Sequence, residues 1–159
     1  MTLADRNDWC TPEWLTMLLP HVDLDPCSNA YSTVRALRTY RLDRGEDGLR
    51  DRWAGSVFVN PPYDDILPWV RKRIDSPDVT GCAFLVNVDP STRWWRELTI
   101  FLPVALMFHR RIQFTPPPGV KPSTNSKAQA LAMDRAFLAR CTDALLMMGV
   151  LWAVERRPS

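Results

Sequence analysis

The most informative stretch of the chain reads Val57-Phe58-Val59-Asn60-Pro61-Pro62-Tyr63. Its three apolar residues predict a buried β-strand. The two consecutive prolines end that strand, because proline has no N–H to donate to a ladder of strand hydrogen bonds. They also hold the surrounding backbone rigid and extended. The sequence therefore predicts an amide side chain, a stiff backbone carbonyl and an aromatic ring at the carboxyl end of a strand, where open α/β sheets bind their ligands.

The tetrapeptide Asn60 to Tyr63 has the chemistry needed for methyl transfer to a planar amine. The lone pair of an amine attached to a ring is delocalised, so its nitrogen is a weak nucleophile. The side-chain oxygen of Asn60 and the carbonyl of Pro61 would accept hydrogen bonds from the two N–H groups and help to free the lone pair. The Tyr63 ring would stack on the base, which typically contributes about 1–3 kcal/mol.

Length and composition are typical of one compact domain. The chain has 159 residues, of which 46% are hydrophobic, and its formal net charge is +2. A chain of this length fits a single domain over residues 1–159. Because the net charge is so small, no strong field draws nucleic acid to the whole surface, and any contact with DNA must come from local clusters.

The distribution of cysteine and of apolar residues predicts where the protein works. Cys10, Cys27, Cys82 and Cys141 are spread singly and lack the close spacing of a zinc site, so no metal is expected. Charged residues precede any apolar run at the start, which indicates no signal peptide. No segment approaches the ~20 apolar residues of a transmembrane helix. We therefore expect a cytoplasmic protein with reduced thiols and no membrane contact.

Strand-like and helix-like patterns alternate along the chain. The predicted strands are residues 22–25, 57–59, 82–88, 104–108, 128–133 and 144–154. The predicted helices are residues 12–20, 64–74, 90–101 and 134–140. Residues 33–44 are predicted to be helical or irregular, and residues 115–127 to form a proline-rich loop. The alternation predicts a compact α/β fold, with a mostly parallel sheet flanked by helices.

A set of short motifs resembles the phage-type DNA N6-adenine methyltransferases. In chain order they are Asp8-Trp9-Cys10-Thr11-Pro12, Asp23-Leu24-Asp25-Pro26-Cys27-Ser28, Asp47-Gly48-Leu49 with Trp53, the tetrapeptide, Trp69, Thr92-Arg93-Trp94-Trp95 and Arg111-Ile112-Gln113-Phe114. Among these motifs only the tetrapeptide is specific by itself, and the ordered set is considerably stronger evidence for the resemblance than any single motif. The resemblance implies a Rossmann-like methyltransferase fold, S-adenosylmethionine as methyl donor and adenine N6 in DNA as acceptor. It also implies a phage or prophage origin, and hence the cytoplasm of the host cell.

The resemblance assigns a catalytic tetrapeptide and a donor pocket. Asn60, Pro61, Pro62 and Tyr63 match the family's catalytic residues. The residues that match its donor-binding motifs are Thr11, Pro12, Asp25, Pro26, Cys27, Ser28 and Asp47. The glycine-rich turn that usually follows the first strand of methyltransferases is absent here, and Ser28-Asn29 stands in its place.

The target adenine would have to leave the duplex, because a pocket at a strand end cannot reach N6 inside the base stack. The residues expected at the DNA follow the later strands; they are Arg93, Trp94, Arg96, Arg111, Lys121 and Lys127. We expect one of the rings of Trp94 and Trp95 to be buried, since consecutive helical residues do not share a face. The chain has no room for a separate target-recognition domain. We therefore expect a short or loose sequence preference, or one supplied by the partner subunit of a homodimer.

Two alternatives remain open from the sequence. The tetrapeptide also resembles that of methyltransferases acting on protein glutamine N5 or on guanine N2 in RNA. The first motif, the Trp94-Trp95 pair and the Arg111-x-x-Phe114 segment favour DNA. The second alternative is a non-catalytic nucleic-acid-binding protein on a decayed methyltransferase fold. Fold alone does not specify activity, and the missing glycine-rich turn supports this second alternative.

Overall fold

The computed structural model describes residues 9–153, which form seven strands and five α-helices around one sheet. The strands are β1 Val22–Asp25, β2 Ala36–Thr39, β3 Gly55–Val59, β4 Val79–Asn87, β5 Val104–Phe108, β6 Gln129–Met133 and β7 Gly149–Ala153. The helices are α1 Glu13–Leu18, α2 Leu67–Ile74, α3 Arg93–Phe101, α4 Arg135–Leu138 and α5 Asp143–Leu146, with a 3₁₀ turn at Leu42–Arg44. Asp8 of the first motif and Val154 of the last predicted strand lie outside the described residues.

The sheet is mixed, with the strand order β2-β1-β3-β4-β6-β5-β7. β1 pairs in parallel with β2 and β3, and β3 pairs in parallel with β4. β6 is antiparallel to β4 and β5, and β7 is antiparallel to β5. The prediction of a mostly parallel sheet is therefore wrong. The apolar runs could not reveal this, because a strand buried on both faces has the same composition whatever the direction of its neighbours.

Both faces of the sheet are covered, as the apolar run of β4 predicts. Phe84 and Val86 face the side on which α2 and α3 pack, whereas Ala83 and Leu85 face the side of α1, α4 and α5. The alternation follows from the two-residue period of a strand. The protein thus has an α/β architecture with helices on either side of one sheet, which is compatible with a methyltransferase fold.

Two segments differ from the predictions. The segment of residues 33–44 contains the edge strand β2, whose side chains are half-buried or exposed, so it lacks an alternating apolar pattern. Residues 144–146 of the last predicted strand belong instead to the helix α5. Thr142 begins that helix, because its hydroxyl oxygen accepts a hydrogen bond from the backbone N–H of Leu145.

One edge of the sheet collects the strand ends that matter for function. β1, β3 and β4 run in the same direction, and β5 runs with them because both β4 and β5 are antiparallel to β6. Their last residues, Asp25, Val59, Asn87 and Phe108, lie toward this edge, which we call the carboxyl edge. β6 begins there, with Gln129 opposite Asn87. Connections that leave these four strands therefore start beside one another.

The part of the chain that the structure describes has neither a membrane-spanning helix nor a cluster of metal ligands. Within residues 9–153 no helix is long and apolar enough to cross a membrane. No three His, Cys, Asp or Glu side chains of that part of the chain converge in a way that would hold a metal ion.

Candidate active site

The amide of Asn60 is oriented by a residue far away in the chain. Asn60 follows directly after β3 at the carboxyl edge, and its Nδ2 donates a hydrogen bond of 3.2 Å to Oγ1 of Thr11. Thr11 is buried, with only 4% of its surface exposed, so this contact is fixed by the core. Because the bond engages the amide nitrogen, it directs the side-chain oxygen of Asn60 toward a different partner. That oxygen is the atom predicted to accept from the target amine.

The ring of Tyr63 is held on two sides. Its hydroxyl donates a 3.2 Å hydrogen bond to the carbonyl of Leu85 in β4. The ring of Phe114 meets it edge-on, with centroids 5.7 Å apart and an interplanar angle of 84°. Burial raises the pKa of Tyr63 well above its ordinary value, so the hydroxyl remains a neutral donor. The stacking role of this ring stays a prediction.

A pocket beside Asn60 joins the tetrapeptide to the predicted donor loop. It is lined by Trp9, Cys10, Thr11, Asp25, Cys27, Asn29, Ser32, Val34, Phe58 and Asn60. Three of the predicted donor-site residues, Thr11, Asp25 and Cys27, therefore share a wall with Asn60. Pro12, Pro26 and Ser28 are their chain neighbours and do not line the pocket, and neither does Asp47.

Asn29 and Ser32 line the pocket but are not among the predicted donor-site residues. Asn29 directly follows the motif that ends at Ser28, and its Oδ1 accepts hydrogen bonds from Cys10 Sγ at 3.2 Å and from the backbone N–H of Tyr31 at 2.8 Å. Ser32 lies four residues after the motif, in the loop between β1 and β2, and also lines the pocket. The sequence signals for Asn29 were its place next to that motif and its position where the glycine-rich turn usually lies, and Ser32 had none.

Asp25 supplies the carboxyl group of the pocket wall. It is 3% exposed, and its carboxylate accepts hydrogen bonds from the backbone N–H of Cys27 at 3.1 Å and from Ser32 Oγ at 3.3 Å. Burial raises the pKa of Asp25 to about 6, although hydrogen bonds from Cys27, Ser28 and Ser32 partly offset the increase. A ligand that brings a positive charge or a hydroxyl donor would favour the ionised form.

The thiol of Cys27 is kept neutral by its surroundings. Burial raises its pKa well above the ordinary value, and the nearby carboxyl of Asp25 raises it further. A neutral thiol is a poor nucleophile. Cys27 therefore contributes shape to the pocket wall, and its backbone N–H contributes a hydrogen bond to Asp25.

Gly48 brings the Asp47 turn against the donor loop. A side-chain carbon added to Gly48 would lie 2.1 Å from the carbonyl oxygen of Pro26, so only glycine allows this close packing. The indole N–H of Trp53 donates a 2.7 Å hydrogen bond to the Gly48 carbonyl and locks the turn. The Asp47 carboxylate accepts from the backbone N–H of Leu49. Asp47 thus helps to shape a turn that supports the loop from outside the pocket.

The first two predicted DNA-binding arginines lie near the carboxyl edge. Arg93 and Arg96 are exposed in the first turn of α3, which follows β4. Nε of Arg93 donates a 2.7 Å hydrogen bond to Glu97, so part of its charge is already balanced. Trp95 is buried and Trp94 is half-buried against it, with ring centroids 5.7 Å apart. The prediction that one of these two rings is buried is confirmed.

The other predicted DNA-binding residues lie on the segment of residues 109–128, which connects β5 to β6. Arg111, Lys121 and Lys127 are all exposed there. Since β5 ends and β6 begins at the carboxyl edge, this segment starts and finishes at the edge on which the tetrapeptide lies. All six predicted residues therefore belong to connections that leave the edge on which Asn60 lies. Their contact with DNA stays a prediction.

The Asn-Pro-Pro-Tyr segment follows a strand of a mixed sheet, and its Asn60 shares a pocket with the buried carboxylate of Asp25. This arrangement is compatible with the methyltransferase class of α/β proteins. The family model described as DNA N-6-adenine-methyltransferase (Dam) matches residues 1–150, and the chain belongs to that family. No curated protein matches the chain. The family membership confirms the resemblance found in the sequence. It indicates DNA adenine methylation as the activity and DNA as the substrate.

Proposed function

We propose that the protein transfers a methyl group from S-adenosylmethionine to N6 of an adenine in DNA, at the pocket between Asn60 and Asp25. Membership of the Dam family supports the acceptor. The proposed position of the methyl donor is supported by the lining of this pocket, because the lining includes both Asn60 of the tetrapeptide and residues of the loop that follows β1. A donor seated on that loop would be next to an amine held by Asn60.

The residues of the pocket fit the proposed donor. S-adenosylmethionine supplies a methyl group on a positively charged sulfur, together with hydroxyl and ammonium groups. Asp25 offers a buried acceptor for a hydroxyl or an ammonium group, and its ionised form would be favoured once such a partner is bound. Asn29 and Thr11 add neutral polar groups to the same wall. A polar wall around one buried carboxylate suits a small ligand with several hydrogen-bond donors.

The tetrapeptide would act by positioning and electrostatics. The side-chain oxygen of Asn60 and the carbonyl of Pro61 accept hydrogen bonds from the target amine, and Pro62 keeps that carbonyl in place. Thr11 fixes the amide of Asn60, which limits the reorganisation needed when the base arrives. An amide is not a strong base, so the proton lost by the methylated nitrogen passes to water. The Tyr63 ring would hold the base by stacking.

The exposed basic residues near the carboxyl edge would hold the DNA backbone around the flipped nucleotide. Base flipping costs a few kcal/mol, which contacts with phosphates can offset. We also take residues 1–159 as one catalytic domain without a separate recognition domain. A phage or prophage origin, action in the cytoplasm of the host cell and a homodimer belong to the same proposal and rest on the sequence alone.

The test is transfer of labelled methyl from S-adenosylmethionine to duplex DNA, followed by nucleoside analysis. We expect N6-methyladenine from the native protein, and a loss of at least about 100-fold for Asn60→Ala, in line with removal of one preorganised polar group. Asn60→Asp keeps a side-chain oxygen and is the matched control, and it should retain more activity than Asn60→Ala. Donor affinity, measured by calorimetry, should change little in either variant.

The other outcomes separate the two alternatives. Donor binding without label in DNA would refute the proposed acceptor and direct the search to RNA or to a protein glutamine. Absence of donor binding would refute the enzyme altogether and favour a decayed fold that binds nucleic acid.

A further inference from the structure

The segment of residues 109–128 is much longer than its connection requires. It joins β5 to β6, which are adjacent antiparallel strands, and such strands can be joined by two residues. Connections longer than about 12–15 residues without their own secondary structure are usually functional. This one lies near the carboxyl edge, where the tetrapeptide is also located.

The base of this segment is fixed by four hydrogen bonds. The backbone N–H of Ile112 donates to Oε1 of the buried Gln129 at 3.2 Å, and Gln129 in turn donates to Oδ1 of Asn87 at 2.9 Å. Asn125 closes the loop, because its Nδ2 donates to the carbonyl of Ile112 at 3.0 Å and its backbone N–H donates to Gln113 at 3.2 Å. Residues 116–124 are therefore a loop on a fixed base, and we call them the proline loop.

The tip of the proline loop is a rigid turn. The backbone N–H of Val120 donates a 3.1 Å hydrogen bond to the carbonyl of Pro117, with Pro118 and Gly119 between them. Gly119 has a φ of +81°, and this arrangement of proline and left-handed glycine is that of a type II turn. Nothing lies within 4 Å of a side-chain carbon built on Gly119, so the tip projects into open space.

Two contacts fix the proline loop relative to the catalytic and donor residues. Immediately before it, Phe114 packs edge-on against Tyr63 of the tetrapeptide. Thr115 exchanges two backbone hydrogen bonds of 2.9 Å with Cys10, which lines the donor pocket. The proline loop would therefore lie at a fixed distance from a target base held at Tyr63, close to the neighbouring nucleotides.

The exposed side chains of the loop can read DNA. Lys121, Ser123 and Thr124 are exposed, and their ammonium and hydroxyl groups can bond to base edges as well as to phosphates. A loop held rigid by its turn and its base loses little conformational entropy on binding, so its contacts favour one arrangement of bases over others.

From these observations we propose that the proline loop selects the DNA sequence next to the target adenine, with Ser123 and Thr124 reading base edges and Lys121 adding affinity. The inference rests on the proposed function, because it needs a methylated adenine whose neighbours can be compared. It gives the chain a short recognition element without a second domain.

To test this, the protein is incubated with S-adenosylmethionine and a library of duplexes that have a central adenine and randomised flanks, and N6-methyladenine is mapped by sequencing. The native protein should prefer a short motif. Ser123→Ala combined with Thr124→Ala should reduce the preference at one or more positions by about fivefold or more, since a good base contact discriminates at least that strongly. The matched control is Thr80→Ala, which removes an exposed hydroxyl near the opposite end of β4 and should leave the motif unchanged.

A second pair of variants tests the rigid tip without removing a polar group. Gly119→Ala and Gly45→Ala both place a side chain on a glycine with positive φ, +81° and +77°, and neither new carbon meets another atom within 4 Å. The two variants should therefore lose similar stability, and only Gly119→Ala should weaken the sequence preference. Equal preference in both variants would overturn the role of the tip.

The remaining outcomes are distinguishable from failure of the proposed function. A native protein that methylates all flanks equally, or a loop variant that keeps the native motif, overturns the inference while leaving the methyltransferase intact. A native protein that forms no N6-methyladenine in the library refutes the proposed function, and the inference falls with it.

Discussion

Replacing Asp25 with asparagine should make the protein more stable near neutral pH while weakening its hold on the donor. The carboxyl is buried and has its pKa raised from 3.8 to about 6. Asparagine keeps an oxygen that can accept from the backbone N–H of Cys27, and its NH₂ group can donate to the oxygen of Ser32. The substitution therefore removes a buried charge without emptying the hydrogen-bond positions around it.

The size and the pH dependence follow from the raised pKa of Asp25. Well below pH 3.8 the carboxyl is largely protonated in both the folded and the unfolded chain, so its charge costs nothing. Between pH 4 and 6 the unfolded chain releases the proton first, and the native protein loses free energy of unfolding relative to the variant. The rise of the Asp25 pKa from 3.8 to about 6 lowers the free energy of unfolding by at most about 3 kcal/mol once the pH exceeds 7. For a domain of this size we expect the variant to gain roughly 2–10 °C in Tm between pH 4.5 and 8, relative to the native protein.

Thermal unfolding of both proteins from pH 4.5 to 8 measures this difference, and calorimetry measures donor affinity. We expect the donor Kd of Asp25→Asn to rise about tenfold or more, because a hydrogen bond to a charged group is lost. Asp23→Asn on the same strand is the control with the opposite sign. Hydrogen bonds from Ser56 lower the pKa of Asp23, so the stability of that variant relative to the native protein should fall as the pH rises. A Tm difference for Asp25→Asn that is constant with pH, or that shrinks as pH rises, would refute the reasoning.

Two further substitutions test how the site is supported. Thr11→Val removes the acceptor of the Asn60 amide, so kcat should fall about tenfold, whereas Thr11→Ser keeps the hydroxyl and should have a kcat near the native value. Equal kcat values for the two variants in steady-state assays would contradict the orienting role of Thr11. Gly48→Ala places a carbon 2.1 Å from the Pro26 carbonyl oxygen, so we expect the free energy of unfolding in urea to fall by about 1–3 kcal/mol and the donor Kd to rise. The carbon added by Gly45→Ala has no atom within 4 Å, so this control should leave the donor Kd unchanged. A Gly48→Ala protein with native donor affinity would show that the turn does not shape the pocket.

The parts of the site that the sequence predicted correctly are those formed by neighbours in the chain. A strand that stops at Asn60-Pro61 follows from the chemistry of proline, and its position at the carboxyl edge follows from the direction of β3. The burial of one ring of the Trp94-Trp95 pair likewise follows from helical geometry. Such features depend on a few residues at a time, so a pattern can indicate them.

The parts that the sequence did not predict depend on pairing across the sheet. The direction of β6 decides that β5 ends and β6 begins at the carboxyl edge. The alanine-rich composition of β6 does not indicate whether that strand is parallel or antiparallel to its neighbours. The contact between Thr11 and Asn60, like the one between Cys10 and Thr115, joins segments that no local spacing connects. The support of the site therefore becomes visible only in the folded chain.

The absence of a glycine-rich turn after β1 also has a structural explanation. Across residues 9–153 the only residues with positive φ are Gly45, Gly55 and Gly119, so the loop after Asp25 needs no left-handed backbone and hence no glycine. Its shape is set by acceptors instead, since Asp25 accepts from Cys27 and Ser32 and Asn29 accepts from Tyr31. The missing glycines are thus weaker support for a decayed fold than the sequence suggested. A loop organised by the carboxylate that would meet the donor also links the shape of the pocket to the protonation of Asp25.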